Sequence, residues 1–570
     1  MQRRFKTRIF AVVCALILAL SLAVNIFAAN FSDSKLPVPR YSSPEIKNII
    51  VMIPDGMSID GVALARWYKS YDTTTGTFDT SVSLNMDDLA SGLVRTWWQK
   101  GNIIGGIVDS APAGTAYASG IKTDDKVIGM TYDHKPVATI LEAANLIGKS
   151  TGIVVTCEVQ HATPATFTSH ISNRGQQQII AEQQVYNNID VVLGGGVNRL
   201  TGRTDNENLI NEIKSMDYEF VTTREDMFAV KSGKLWGMFG ARELNFAMAY
   251  EFDRVGLELD EPSLAEMTTK AIELLSQNED GFFLLVEGSK IDWTAHANDP
   301  IGLISDILAF DKAVGVALDY AKKNQDTMIL IMSDHGTGGI TIGNRDTQNA
   351  QAKLPYDSAA IDNFIVPLTK AKLTGEGVAF KFNEERTNIA EVMKEYYGID
   401  DLTAEEIEVI KATSFGAMNN VVGLMLSERA YLGWTTHGHT GQEVNLFSYL
   451  PGDGRITGTI DNTDIAKIMA KTWNIDLEAV TQRLFNDAET AFKALGATVE
   501  TDTDIASSGR MIVKKDGVII TILENKNYVI VENSYLVDSA DGPAKVIIEG
   551  VVVNQDGKFY VPKSVIELIP

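Results

Sequence analysis

The sequence predicts an α/β fold: a doubly wound, mostly parallel central sheet with helices on both faces, an insertion near residues 340–430, and a small C-terminal all-β domain. Three observations predict it. Short apolar runs without polar alternation recur along most of the chain, as strands buried on both faces of a parallel sheet require. Stretches of helical length separate them, which is the βα rhythm of a doubly wound sheet. After about residue 500 the texture changes to brief β-type runs punctuated by turn residues. With 570 residues, 45% apolar and 22% charged, the chain has material for a large core and falls outside the disordered, collagen-like and polytopic membrane classes. Its formal net charge of −24 is the reverse of the balance that nucleic-acid binding favours.

Taken in order, residues 1–29 read as a secretory signal. Arg3, Arg4, Lys6 and Arg8 precede an apolar run from Ile9 to about Val24, and the small residues Ala28 and Ala29 mark a cleavage position. Ile26 suits cleavage poorly, so retention of the segment as a membrane anchor stays open. Cleavage would leave Cys157 as the single cysteine, without an internal disulfide. The predicted domains are then 30–499, which carries the chemistry, and 500–570. Residues 49–53 form the first buried strand, ending at Asp55. The same form recurs at 103–108 before Asp109-Ser110, at 152–156 before His161, and at 191–193 before Gly194-Gly195-Gly196. It returns at 282–286 before Glu287 and at 328–332 before Asp334-His335. Helices are predicted at 137–147, 176–186, 263–277 and 301–322. The insertion has helical texture at 387–397 and 403–412 and no strand series. The core resumes at about Ala430, with a helix at 463–473. The C-terminal runs are M-I-V, V-I-I-T-I-L, Y-V-I-V, K-V-I-I-E-G-V-V-V and K-F-Y-V-P, with turns at Asp516-Gly517 and Asp556-Gly557. This composition shift predicts that a chain cut near residue 500 stays soluble and active.

Ligands of open α/β sheets bind outside the carboxyl ends of the strands. Here those ends carry Asp55, Asp109, Ser110, His161, Glu287, Asp334 and His335, with Asp292 and His296 following Glu287. Singly, each has an ordinary reading. Asp55-Gly56 and Asp334-His335-Gly336 read as turns, His296 as a helix-face histidine and Ser110 as an N-cap. Together, acids and imidazoles at several strand ends form a ligand set for zinc, or for zinc with magnesium. Asp292 and His296, four residues apart, would share one face of a helix. Ser110 is the candidate nucleophile. It opens a segment rich in small residues, Pro112 suits a first helical turn, and a helix N-terminus offers backbone donors to a phosphoryl oxygen. No histidine is placed by sequence as its base and no G-x-S-x-G is present, so a metal must activate it.

I-V-D-S-A-P-A-G-T-A resembles the nucleophile signature of the alkaline phosphatases. V-Q-H-A-T-P-A with H-I-S-N-R is similar to that family's third-metal and phosphate-arginine segment. F-F-L-L-V-E-G-S-K-I-D-W-T-A-H, M-S-D-H-G and T-T-H-G-H-T-G-Q-E-V resemble its metal segments, and D-N-T-D-I-A a later helix. The matches follow the family's order from about residue 46 to 480. The resemblance implies that Asp292, His296 and His439 hold one zinc and that Asp55, Asp334 and His335 hold the second. It implies Asp55, Thr163 and Glu287 as ligands of a third ion, usually magnesium. Ser110 would be the nucleophile, Arg174 the phosphate clamp and Asp109 the residue that orients it. The H-T-G-Q-E-V alignment favours His439 over His437 as ligand, and His134 and His170 read as surface or packing residues. Pro112 and Trp293 depart from the common pattern. His161 and Trp293 fall beside the third ion, as in a bacterial His/Trp type of third site, where zinc or cobalt could replace magnesium with His161 as a ligand. Residues 500–570 resemble the stalk-type domain of copper amine oxidases, notably in G-K-F-Y-V-P, but contain no histidine, so no copper is inferred.

The resemblance implies an exported, metal-dependent phosphomonoester hydrolase that works through a phosphoserine, located outside the cell, at the cell wall or in the periplasm. Its partners would be small phosphomonoesters, with inorganic phosphate as product and inhibitor, and nucleic acid only where it ends in a phosphate. A homodimer, and cell-wall or surface contact through 500–570, fit the same reading. Two others stay open: a related metallohydrolase of phosphodiesters, phosphonates or sulfate esters, and a non-catalytic surface binding protein with a vestigial hydrolase core.

Overall fold

The computed structural model describes residues 45–240, 247–348, 351–502, 509–532 and 543–570. The signal segment expected at 1–29 lies outside the described residues.

Ten strands form the central sheet. In chain order they are β1 (Asn48–Ile53), β2 (Ala90–Arg95), β3 (Ser150–Glu158), β4 (Val191–Gly195), β5 (Tyr218–Val221), β6 (Lys234–Met238), β7 (Phe282–Glu287), β8 (Thr327–Met332), β9 (Val444–Tyr449) and β10 (Gly458–Asp461). Their order across the sheet is β10-β2-β9-β8-β1-β7-β3-β4-β6-β5. Only β9 runs antiparallel to its neighbours, β8 and β2. The predicted apolar strands β1, β7 and β8 lie side by side at the centre. Alternate residues serve opposite faces, which is why the sequence shows no polar alternation there. Ile50, Met52, Leu284 and Ile329 join the apolar cluster on one face, and Ile49, Val51, Leu285 and Leu330 join that on the other. Each such fully buried side chain contributes about 1.5–3 kcal/mol of transfer free energy.

Helices Ile59–Ser70, Leu264–Leu275 and Pro300–Asn324 cover the first face, and Ser110–Ser119, Ile140–Leu146, Gln177–Tyr186 and Asn462–Thr472 cover the second. Within the 340–430 stretch, Asp362–Thr369, Ala404–Ala412 and Met418–Arg429 are helical. Phe364, Leu368, Ile410, Val422 and Leu426 of that stretch pack into the same cluster as β1.

One predicted strand is corrected. Residues 103–108 do not enter the sheet: Ile103–Gly105 pairs with Trp98–Lys100 in a separate hairpin, and Ile103 and Ile104 are 61% and 66% exposed. The sheet positions at that end are taken instead by β2, A-S-G-L-V-R, and β9, V-N-L-F-S-Y. Asp109 and Ser110 therefore arrive from an extended link and not from a strand end.

The C-terminal region is a five-stranded antiparallel meander, Thr498–Asp502, Arg510–Lys515, Val518–Leu523, Tyr528–Glu532 and Ala544–Ile547. Asp516 and Gly517, at φ 48° and 86°, make the predicted two-residue hairpin turn. The run K-V-I-I-E-G-V-V-V is divided. Ala544–Ile547 closes the meander, while Val553–Gln555 pairs with Lys558–Val561 in a different sheet. The cluster inside this region includes Ala488 and Phe492, so its packing begins before residue 500. Val551, Val553 and Tyr560 belong to the apolar cluster of the main sheet. That shared core argues against the expectation that a cut near residue 500 leaves an intact enzyme.

Candidate active site

The carboxyl ends of β1, β7 and β8 converge, and the acids follow them within two residues. Asp55 comes after β1, Glu287 ends β7, and Asp334 and His335 follow β8. All four are fully buried. Gly56, at φ 70°, allows the sharp turn after Asp55, and a Cβ there would lie 2.6 Å from Asp292 Oδ1. The Gly56 and His335 amides both donate to Asp334 Oδ1, at 3.2 and 3.1 Å. His335 Nε2 lies 3.2 Å from Asp334 Oδ2 and 3.6 Å from Asp55 Oδ1.

The second group is built on the helix Lys290–His296, which sets Asp292 and His296 on one face as their spacing predicts. His296 Nε2 is 3.3 Å from Asp292 Oδ2, and His439 Nε2 is 3.8 Å from Asp292 Oδ1. The two imidazoles face each other, Nε2 to Nε2, at 3.1 Å. His439 Nδ1 donates to the Val108 carbonyl at 2.8 Å, and His296 Nδ1 to the His437 carbonyl. Each ring thus has its Nδ1 occupied by backbone and its Nε2 directed at a common point, which is how metal-ligating histidines are oriented. His437 contributes that carbonyl, while its own ring turns away to the His296 carbonyl. His335 stacks on His439 with centroids 3.6 Å apart. Thr337, which the sequence reading missed, donates to Asp292 Oδ1 at 2.6 Å.

Ser110 begins the helix Ser110–Ser119, capped by Asp109, whose carboxylate accepts from the Ala111 amide. Its Oγ is 3.2 Å from His335 Nε2. Arg174 Nη1 donates to both Asp109 oxygens at 2.7 and 2.8 Å, and its Nη2 lies 3.1 Å from His161 Nε2. His161, after β3, stands edge-on to Trp293 with centroids 5.9 Å apart. Thr163 lies in the buried helix Ala162–Thr168. Of the other histidines, His170 is buried between Glu142 and the Gly129 carbonyl, and His134 is partly exposed in a turn.

The electrostatics are those of a site short of cations. Both Asp55 oxygens, Glu287 Oε1 and Thr163 Oγ1 are buried without a hydrogen bond. Burial raises the Asp55 pKa, and the Asp334, Asp292 and Glu287 charges raise it further. Burial, with the Asp334 charge, also holds Glu287 at about 8. Burial would raise Asp292 too, but the hydrogen bond from His296 and the nearby His335 charge bring it below the usual carboxylate range. Burial and the adjacent Arg174 push His161 down to about 4, so it stands as a neutral imidazole at pH 7. Buried carboxylates left without partners are costly, and metal coordination is the usual compensation. Asp292, His335 and His439 offer ligand atoms within 4.8 Å of one another, as do Asp55, Asp334 and His335. The donor set, carboxylates with imidazoles and one hydroxyl, fits zinc in the two histidine-bearing groups and magnesium in the oxygen-lined one.

Comparisons with known proteins agree with this geometry. The family model described as "Alkaline phosphatase" matches residues 46–475. Alkaline phosphatase 4 of Bacillus subtilis is 35% identical over 448 residues, covering 77% of this chain and 91% of that protein. The crystal structure of Thermus thermophilus alkaline phosphatase superposes with a TM-score of 0.65 at 25% identity, over 77% of this chain and 96% of that one. The enzyme of the Antarctic bacterium TAB5 superposes with a TM-score of 0.55 at 25% identity, over 76% of this chain and 100% of that one; the matched variant has a histidine changed to aspartate and magnesium in its M3 site. The central sheet, its buried strand-end acids and a match across three quarters of its length place this chain in the alkaline phosphatase family.

Proposed function

We propose that this chain is an exported phosphomonoester hydrolase that forms a phosphoserine at Ser110. The observation that carries the reading is the position of Ser110 Oγ, at a helix N-terminus, 3.2 Å from His335 and beside the Asp109–Arg174 pair. Asp292, His296 and His439 would hold one zinc, and Asp55, Asp334 and His335 the other. Asp55, Thr163 and Glu287 would hold magnesium, with His161 and Trp293 alongside in a His/Trp type of third site. When bound, a zinc pair supplies the positive charge that favours both the serine alkoxide and the departing alkoxide.

The chain's own groups do the rest. Ser110 Oγ attacks phosphorus as the bond to the leaving oxygen breaks, and water then displaces Ser110 from phosphorus. Two in-line displacements give overall retention. Arg174 presents a planar fork to two nonbridging phosphoryl oxygens, which a lysine could not match. Asp109 holds that fork by two bonds to one nitrogen, leaving Nη2 on the side of His161. Arg174 together with a third ion favours monoesters over diesters and sulfate esters. The neutral His161 imidazole suits a zinc or cobalt alternative at the third position. Inorganic phosphate is the expected product and inhibitor. The basic and apolar start of the chain supports export.

Ser110→Ala tests the covalent step. Turnover of a chromogenic phosphomonoester is expected to fall by orders of magnitude while zinc content stays near that of the wild type. Near-normal turnover would contradict the phosphoserine route.

A further inference from the structure

Arg174 sits in the link between the helices Ala162–Thr168 and Gln177–Tyr186. Neither helix sets the direction of that backbone, so bonds to other parts of the chain must. On one side stands the loop around Lys126 and Ile128. Ile128 and Ile171 exchange two backbone bonds, at 2.8 and 2.9 Å, and the Arg174 amide donates to the Lys126 carbonyl at 2.9 Å. On the other side stands the C-terminal region. Gln555 Oε1 accepts from the Ser172 amide at 3.2 Å. Gln183 Oε1 accepts from the His170 amide at 2.7 Å, and its Nε2 donates to the His170 carbonyl and to Asn525 Oδ1, at 3.2 and 3.0 Å. The amides of residues 170, 171, 172 and 174 are thus each held, and the partner of the third lies 383 residues further along the chain.

Gln555 is itself placed by a packed frame. It ends the strand Val553–Gln555, which pairs with Lys558–Val561 across the turn Asp556-Gly557, at φ 53° and 83°. Side chains along this hairpin alternate between two cores. Val553 and Tyr560 join the apolar cluster of the main sheet, while Val552, Phe559 and Val561 join that of the C-terminal region. Close packing on both faces leaves the side chain beside the turn little room to shift. Asn525 and Gln555 both lie beyond residues 46–475, so the family match does not account for either.

We propose that Gln555 is a positioning residue for the phosphate clamp. Through Ser172 it fixes the backbone from which Arg174 reaches, while Asp109 fixes the guanidinium head. The inference rests on Arg174 binding the phosphoryl group, as in the proposed function. A fork that must meet two oxygens at once loses strength with small displacements of its base. The C-terminal region therefore tunes phosphate binding as well as adding stability.

The test compares full-length, metal-loaded variants by the inhibition constant of inorganic phosphate, and by kcat and KM for a chromogenic phosphomonoester. Gln555→Met keeps the length of the side chain and removes the acceptor. The side chain is half-buried beside a turn, so the change disturbs neither core. Phosphate inhibition is expected to weaken by about three- to tenfold, the worth of one neutral hydrogen bond. Gln555→Glu keeps an acceptor oxygen and is expected to stay within about twofold of the wild type. In an Arg174→Ala background, Gln555→Met is expected to have no further effect, because no fork is left to position. Unchanged phosphate inhibition in Gln555→Met, whether or not kcat or the melting temperature falls, would overturn the inference. So would a Gln555→Glu chain as weakly inhibited as Gln555→Met, or a Gln555→Met effect that persists without Arg174. If Arg174→Ala alone leaves inhibition intact, the clamp reading falls and the positioning role with it. Weakened inhibition in Arg174→Ala beside unchanged inhibition in Gln555→Met removes the positioning role alone.

Discussion

Two groups of acids in this molecule, one fully buried and one partly exposed, have similar composition and opposite partners. At the strand ends, Asp55, Glu287 and Asp334 stand fully buried with no lysine or arginine paired to them among the described residues. At the contact with the C-terminal region, Glu182, Asp205 and Glu207 also bring carboxylate oxygens within 4.8 Å of one another. There the cations are built in. Lys526 Nζ is 2.6 Å from both Glu182 and Glu207, and Arg203 bonds Glu182 and Asp205. Asn525 donates to Glu182 at 3.2 Å and accepts from Gln183 at 3.0 Å. Ligand-type clustering alone therefore does not make a metal site. The protein's own cations satisfy the second group, which staples the C-terminal region to the helix Gln177–Tyr186. The first group has no such lysine or arginine among the described residues, and the proposed metal ions would supply the missing charge. The stapled region also reaches the clamp segment: Gln555 Oε1 accepts from the Ser172 amide, two residues before Arg174, at 3.2 Å.

Neutralising an acid in the first group and a lysine in the second separates the two. Asp55→Asn is expected to lower phosphomonoester turnover by at least about a thousandfold, since one residue serves two proposed ions. In the chelated chain the same change is expected to raise stability by about 1–3 kcal/mol, by removing an unpaired buried charge. Denaturant midpoints with and without chelator read this, and a loss of stability in the chelated chain would contradict it. In the second group the sign reverses. Lys526→Met leaves Glu182 with Arg203 as its remaining cation and is expected to cost about 1–3 kcal/mol, with zinc content unchanged. An unchanged melting temperature would show that the staple carries nothing. A chain cut near residue 500 loses the same lysine and is expected to melt lower still.

A smaller effect comes from His170, beside the staple. Burial alone would lower its pKa, but the Glu142 carboxylate, at 2.8 Å, outweighs burial and holds it above 6.5. A group raised on folding gives its full stability below its unfolded pKa and loses it as pH rises through the folded value. His170→Gln is therefore expected to flatten the decline in stability that begins above pH 6.5. A pH–stability curve parallel to that of the wild type would contradict the assignment.

Much of this was legible in the sequence for a physical reason. β1, β7 and β8 are buried on both faces, so they read as unbroken apolar runs, and an acid following such a run is a conspicuous exception. Edge and antiparallel strands gave no such signal. β2 reads A-S-G-L-V-R and passes for a loop, while Ile103, Ile104 and Ile107 pass for a strand and are exposed. Site features made by backbone were equally hidden. The Val108 and His437 carbonyls orient two imidazoles, and no side-chain pattern announces a carbonyl. The Lys526 pairings span more than three hundred residues, so the C-terminal region read as detachable although Lys526 and the buried Val551, Val553 and Tyr560 join it to the main body.

In the proposed function, metal ions satisfy the strand-end acids and make the chain a phosphatase. Metal analysis of the purified chain, paired with hydrolysis of a chromogenic phosphomonoester before chelation, after it, and after reloading, tests this most directly. Zinc and magnesium are expected to copurify, turnover to vanish with their removal, and turnover to return when both are restored. Undiminished turnover in a chain stripped of metal would contradict a metal-dependent phosphatase.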